Sequence, residues 1–176
     1  MQNNMLAQVE SLPALIRDEF DRLDTNVRSA LDHNQILSTK RLLITGCGDS
    51  YMAGLAAEMA FTSLAGVRTE PIKAMQAARY HQVDQPSDIP NNFRMTGIPD
   101  FPFNPLTIAI SVSGTVSRTA EAARMAKEKG ALTVGITANP DAPLGQSVDH
   151  IIDCTLPPFP ESPGVRSYRI SLLVLY

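Results

Sequence analysis

The chain has 176 residues, of which 44% are apolar and 19% charged, and its net charge is −3. That is enough for one domain with a full core; it argues against two ordinary domains, a disordered chain, or a nucleic-acid groove as the main function. No apolar run reaches the ~20 residues of a membrane span, and the first twenty residues lack the basic start and continuous apolar stretch of a secretory signal. The expectation is a cytoplasmic protein with neither a membrane nor a nucleic-acid partner.

Leu12, Leu15, Ile16, Leu23, Val27, Ala30 and Leu31 recur at helical spacing, which predicts a first helix over Leu12–Leu31 with Ser11 as its candidate N-cap. Residues 1–40 are therefore expected to form an N-terminal helical segment, and residues 41–176 the main domain. Five short apolar runs follow: Leu42–Thr45, Val67–Ile72, Leu106–Val112, Leu132–Thr137 and Ile151–Cys154. Helical segments over Tyr51–Leu64, Lys73–Tyr80 and Val116–Lys129 separate most of them. Continuous apolar strands alternating with helices predict an α/β protein, a three-layer αβα sandwich around a five-stranded parallel sheet. Two proline-rich stretches break the alternation, His81–Pro105 and Leu156–Gly164. The last segment ends while still apolar at Tyr176, so the expectation is a domain that continues or packs against a second copy. Cys47 and Cys154 belong to no CxxC pair and are expected to be reduced, packed thiols, with a nucleophilic Cys47 as the alternative.

Two loops carry the chemistry. "LLITGCGDSYMAG" runs from strand through glycine turn to helix. Gly46 and Gly48 fit the start of a dinucleotide fingerprint, but Tyr51 occupies the third glycine position. Glu70 stands where a ribose-binding acid would, which keeps a nicotinamide-binding oxidoreductase as a weaker alternative. A Gly-Lys-Ser/Thr triphosphate loop is absent. Taken alone, this loop is equally a turn with Asp49 or Ser50 as helix cap. The second loop repeats the design with more hydroxyls: Ser111-Val112-Ser113-Gly114, then Thr115, Ser117 and Thr119, ahead of a helix. Uncapped helix N-termini attract anions, and hydroxyls add donors without a buried charge. Both loops sit at the carboxyl ends of strands, where parallel sheets bind ligands. Together they suit a single phosphate monoester, with no metal and no cofactor required.

"TGCGDSYMAGLAAEMAFTSLAG" together with "ISVSGTVSRTAEAARMAKEKGALTVGITANPDAPLGQSVDHIIDC" resembles the sugar isomerase (SIS) domain family. That family includes the isomerase half of glucosamine-6-phosphate synthase, phosphosugar isomerases and deaminases, and sugar-phosphate-sensing regulators. The resemblance implies a flavodoxin-like domain that dimerises or pairs with a second SIS domain, with a phosphorylated sugar or amino sugar as ligand. The family's phosphate-binding serines match Ser50, Ser111 and Ser113, within motifs that include Gly48 and Val112. Thr115 or Ser117 is the candidate substitute for the family's usual threonine. In "ESPGVRSYR", Glu161, Val165 and Ser167 match the family's sugar-contacting run, whereas Arg166 and Tyr168 depart from it.

Isomerisation needs a base, and Glu161 is the candidate catalytic residue, with a solvated loop charge as the alternative. His150 reads as structural, His33 as solvated, and His81 as able to reach a neighbouring site. Three functions remain: a sugar-phosphate isomerase or amino-sugar phosphate deaminase, a non-catalytic sugar-phosphate sensor, and the weaker oxidoreductase. Tyr51–Leu64 carries one charge, Glu58, and the small residues Ala53, Gly54, Ala56, Ala57 and Ala60. This helix is expected in a homodimer or pseudo-dimer interface, the alternative being that the first helix covers it.

Overall fold

The computed structural model describes residues 3–80, 104–160 and 164–176. Helix α1 spans Asn4–Ala30 and begins a full two turns before the predicted start. Asn3 is the reason. Its side chain accepts from the Met5 and Leu6 N–H groups at 3.1 and 3.3 Å, which satisfies two of the donors a helix start leaves open. Ser11 is not the cap: its hydroxyl donates to the Gln8 carbonyl inside the helix. A short helix, α2 (His33–Ser38), is closed by a reciprocal capping box between Asp32 and Gln35.

Strands β1 (Thr39–Gly46), β2 (Arg68–Lys73), β3 (Asn104–Ile110), β4 (Leu132–Thr137) and β5 (His150–Asp153) form one sheet in the order β2-β1-β3-β4-β5. Every pairing is parallel. The intervening helices are α3 (Asp49–Ser63), α4 (Ala74–Arg79), α5 (Ser117–Glu128) and, after β5, α6 (Val165–Leu175). A single 3-10 turn, Gly145–Ser147, precedes β5.

Alternate residues of β1 explain why its run is apolar throughout. Leu42 and Ile44 enter a core shared with α1, α3 and α6, while Leu43 enters a second core with Ala74, Ala77 and Ala78 of α4 and Ala122 of α5. Both faces of the sheet are therefore covered, as the three-layer expectation required.

Small residues set the spacing of α3. Ala53, Gly54 and Ala57 face inward and are buried, and a Cβ on Gly54 would lie 2.8 Å from Ile44 Cγ2. This overturns part of the assembly expectation: Ala53, Gly54 and Ala57 serve the sheet, not a partner. The outer face of the helix carries Met52, Leu55 and Met59 at 51%, 39% and 72% exposure. Helix α1 packs against α6 and β5.

Asp149 ties the start of β4 to the turn before β5. It accepts from the Thr133 N–H and hydroxyl at 3.0 and 2.7 Å and pairs with Lys127 at 2.8 Å. Burial opposes its ionisation and is the largest single influence, but the bonds from Lys127 and Thr133 together hold the carboxyl below its ordinary value of 3.8. His150, beside it, meets the Gln35 amide through Nε2 at 3.1 Å, a structural role as expected.

Two predictions follow from this packing. Gly54→Val forces side-chain carbon into the Ile44 contact and is expected to destabilise the fold by at least about 2 kcal/mol; an unchanged urea midpoint would contradict the close approach. Asp149→Asn is expected to cost about 1–2 kcal/mol at neutral pH, since bonds to a charged acceptor are lost. A depressed carboxyl stabilises the fold above its unfolded value and stops doing so as pH falls through its folded value. The difference between wild type and variant should therefore close below about pH 3.8, as read by denaturation across pH.

Candidate functional site

In this strand order β1 is followed in sequence by β2 on one side, while β3 lies on the other, so the direction of winding reverses between β1 and β3. Ligands of open α/β sheets bind in the crevice at that point. The two loops singled out from the sequence are the two that leave it. Gly46 and Ile110 are register partners, so both loops depart at the same level.

In the first loop Gly46 is fixed by crowding: a Cβ there would lie 2.7 Å from Ser50 Cβ and 3.0 Å from the Ile110 carbonyl oxygen. Gly48 is fixed by conformation, with φ 56° and ψ −125°. It is Gly48, and neither Asp49 nor Ser50, that occupies the N-cap of α3, and no side chain caps this helix. The turn is tight enough that Ser50 N–H already bonds the Cys47 carbonyl, which places Asp49 and Ser50 inside the first helical turn. The third fingerprint glycine is likewise displaced: the close helix–strand approach is made by Gly54, three residues beyond Tyr51. Cys47 is exposed, against expectation, because the turn lifts it out of the sheet; Cys154 is buried as expected, and burial pushes its thiol up to about 12.

In the second loop Ser111 is 3% exposed, and its Oγ is buried without a hydrogen-bond partner. Thr45 and Thr107 share that condition within strands, so the significance of Ser111 lies in its place at the switch point. The Val112 carbonyl accepts from Ala138 N–H at 2.8 Å, which anchors the loop to the end of β4. Ser113 and Thr115 hydroxyls meet at 3.0 Å and are exposed, as is Ser117 at the start of α5. Helix α5 starts after Val116, again with no side-chain cap. Thr119 reaches back to Cys47 Sγ at 3.9 Å and joins the two loops. Two uncapped helix starts, one with Ser50 and the other with Ser111, Ser113, Thr115 and Ser117, thus flank the switch point.

The remaining candidates divide. Val165 and Ser167 lie on the first turn of α6, where the Ser167 hydroxyl donates to the Gly164 carbonyl at 2.9 Å. This helix start adjoins the first loop: a Cβ on Gly164 would lie 3.9 Å from Asp49 Oδ2. Glu161 and His81 lie outside the described residues. His33 is exposed at the start of α2. Among the described residues no group of three His, Cys, Asp or Glu is placed to hold a metal ion, and no helix is long and apolar enough to cross a membrane.

Sequence reasoning missed Lys73. It closes β2 as the register partner of Gly46, and its Nζ lies 5.7 Å from the centroid of the Tyr51 ring. A basic residue at the carboxyl end of a strand was the available signal, hidden by reading Lys73 as the start of the next helix.

An open parallel α/β domain with neutral donor loops at its switch point has the layout in which such sheets hold ligands. The SIS domain description matches residues 94–176. The chain is 30% identical over 153 residues to the glutamine-fructose-6-phosphate aminotransferase (isomerizing) of Gloeobacter violaceus, covering 85% of this chain and 22% of that protein. The C-terminal domain of glucosamine-fructose-6-phosphate aminotransferase from Francisella tularensis superposes with a TM-score of 0.71 at 18% identity, over 99% of this chain and 46% of that one. The Vibrio vulnificus NanR protein complexed with ManNAc-6P superposes with a TM-score of 0.58 at 17% identity, over 93% and 58%. Residues 94–176 belong to the SIS-domain family, and the chain spans about a fifth of the length of the curated relative.

Gly114 gives the site its own test. Its φ is 69°, and a Cβ would lie 2.6 Å from Ala142 Cβ and 2.8 Å from Thr137 Oγ1. Gly114→Ala is expected to cost about 2 kcal/mol or more, combining left-handed strain with a backbone-level clash. A thermal melt at the wild-type temperature would show that the loop tolerates a conformation other than this one.

Proposed function

We propose that this chain is a phosphosugar-binding domain that acts as a sugar-phosphate isomerase, on an aldose–ketose or amino-sugar phosphate pair. The observation that carries the proposal is the second loop: a buried, unpartnered Ser111 hydroxyl beside exposed Ser113, Thr115 and Ser117 at an uncapped helix start, facing a second uncapped helix across the switch point. Names in the family that speak of fructose 6-phosphate and of a bound ManNAc-6P support the same ligand class.

In this reading Ser50, Ser111, Ser113 and either Thr115 or Ser117 donate to the phosphate, with Gly48 and the first-turn N–H groups of α3 and α5 completing the cradle. The dianion is met by fixed neutral dipoles that need no counter-charge. Val165 and Ser167, brought beside the first loop by α6, are assigned to the sugar. Glu161 is assigned as the base that takes the proton from C2 of the open-chain aldose and returns it to C1 through an enediol.

Two variants test this. Ser111→Ala with Ser113→Ala removes two donors to a charged acceptor, each worth about 1.5–3 kcal/mol. Hexose-phosphate affinity should fall at least about a hundredfold, and titration calorimetry showing wild-type affinity would sink the phosphate assignment. Glu161→Gln should lower turnover at least about a hundredfold while leaving binding within a few-fold. Tight binding without any wild-type turnover would instead favour a sensor, and preference for a dinucleotide over hexose phosphates an oxidoreductase.

The unit is further proposed to pair with a second copy of this fold through the outer face of α3. Met59, 72% exposed and on one helix face with Met52 and Leu55, places the test: Met59→Glu should convert a dimer to a monomer in light scattering without loss of fold, and a wild-type monomer at micromolar concentration would end the proposal.

A further inference from the structure

Arg166, the residue at which the chain departs from the family's sugar-contacting run, is the second residue of α6 and only 8% exposed. Its guanidinium carbon lies 4.3 Å from the centroid of the Phe159 ring, and Nε and Nη1 are buried without a hydrogen-bond partner. Buried guanidinium groups are ordinarily paired, because an uncompensated charge is costly to hold out of water. The same cleft, of about 370 Å³, is lined by Gln8, Leu156, Pro157, Gly164 and Ser167. Gln8 is 6% exposed; its Nε2 donates to the Pro160 carbonyl at 3.1 Å, which leaves Oε1 buried and unpartnered. The start of α6 has no side-chain cap. Unpartnered polar groups of opposite hydrogen-bonding sense therefore line one cleft: a guanidinium that needs an anionic oxygen, and an amide oxygen that needs a donor.

A carboxylate with a hydroxyl on the neighbouring carbon meets both needs. The carboxylate is planar and singly charged, matching one guanidinium whose face is stacked on an aromatic ring. The adjacent hydroxyl can donate to Gln8 Oε1. The volume suits a group of a few carbons. The cleft also adjoins the first loop, since Gly164 lines it and lies beside Asp49. We propose that this cleft is a carboxylate subsite and that the ligand of the chain is a phosphorylated sugar acid, with its phosphate on the loops and its α-hydroxy carboxylate on Arg166 and Gln8. The phosphate end of this assignment rests on the phosphosugar reading above; the carboxylate end does not.

Titration calorimetry with three probes separates the two ends: 6-phosphogluconate, glucose 6-phosphate and gluconate. Wild type is expected to bind 6-phosphogluconate at least tenfold more tightly than glucose 6-phosphate. Arg166→Met should reduce that preference to within twofold while leaving glucose 6-phosphate affinity unchanged. Arg166→Lys, which keeps the charge but loses the planar fork, should lose most of the preference as well. Without ligand, Arg166→Met is expected to melt above wild type, because an apolar side chain replaces an unpaired buried charge; a lower melting temperature would mark a structural arginine and overturn the proposal. Equal wild-type affinities for the two phosphates, or a preference that survives both variants, also overturns it. If neither phosphate binds but millimolar gluconate does, and Arg166→Met abolishes that binding, the phosphosugar reading fails and the carboxylate subsite stands. Silence from all three probes ends both.

Discussion

The arrangement of the site depends on one constraint, the close approach of backbone at the end of β1. Gly46 faces the Ile110 carbonyl on one side and Ser50 on the other, and no side chain fits between them. The strand order reverses between β1 and β3, so α3 leaves toward one face of the sheet and α5 toward the other. Right-handed crossovers in opposite directions part the loops above the sheet and open the crevice. Gly54 repeats the constraint one helical turn later, seating α3 on Ile44. A bulkier residue at either place would tilt α3 and move the donors at its start.

The sheet was the most legible part of the chain. The central strands β1, β3 and β4 are buried on both faces, so they read as near-continuous apolar runs, and Leu132–Thr137 coincides with β4. Helix starts were harder to read, because a cap is decided by backbone conformation and not by residue type alone. Asn3 caps α1 though Ser11 is an equally good candidate by composition, and Gly48 takes the N-cap of α3 by adopting a positive φ ahead of two better capping side chains. The direction faced by α3 was illegible for a different reason. An alanine-rich helix is apolar all round, so its pattern does not say which side meets the sheet; only the fit of Gly54 against Ile44 settles it.

The candidate site was legible where it depends on hydroxyls following a strand, and obscure where it depends on tertiary convergence. Ser111, Ser113, Thr115 and Ser117 are contiguous, so their common location needed no structure. Val165, Arg166 and Ser167 come to the first loop only because α6 packs against both α1 and α3. Lys73 reaches the neighbourhood through the register of β2 with β1. None of these pairings leaves a trace in local periodicity.

The chemistry is divided by location. The loops at the switch point carry no lysine or arginine between Gly46 and Ser50 or between Ser111 and Ser117. Their donors are hydroxyls and peptide N–H groups, which can be buried in the empty site at modest cost. Arg166 is the exception, a full charge held away from water beside those loops with a ring face as its only described polar contact. Neutral donors bind a dianion with little penalty when the site is empty, but they discriminate poorly among molecules that share a phosphate. A buried cation is costly when the site is empty and discriminating when it is filled, because a ligand lacking the matching anion leaves the charge unpaired. Under the proposed reading, recognition of the common phosphate and selection among phosphosugars fall to different residues, and the departure of the chain from its family falls on the selecting one.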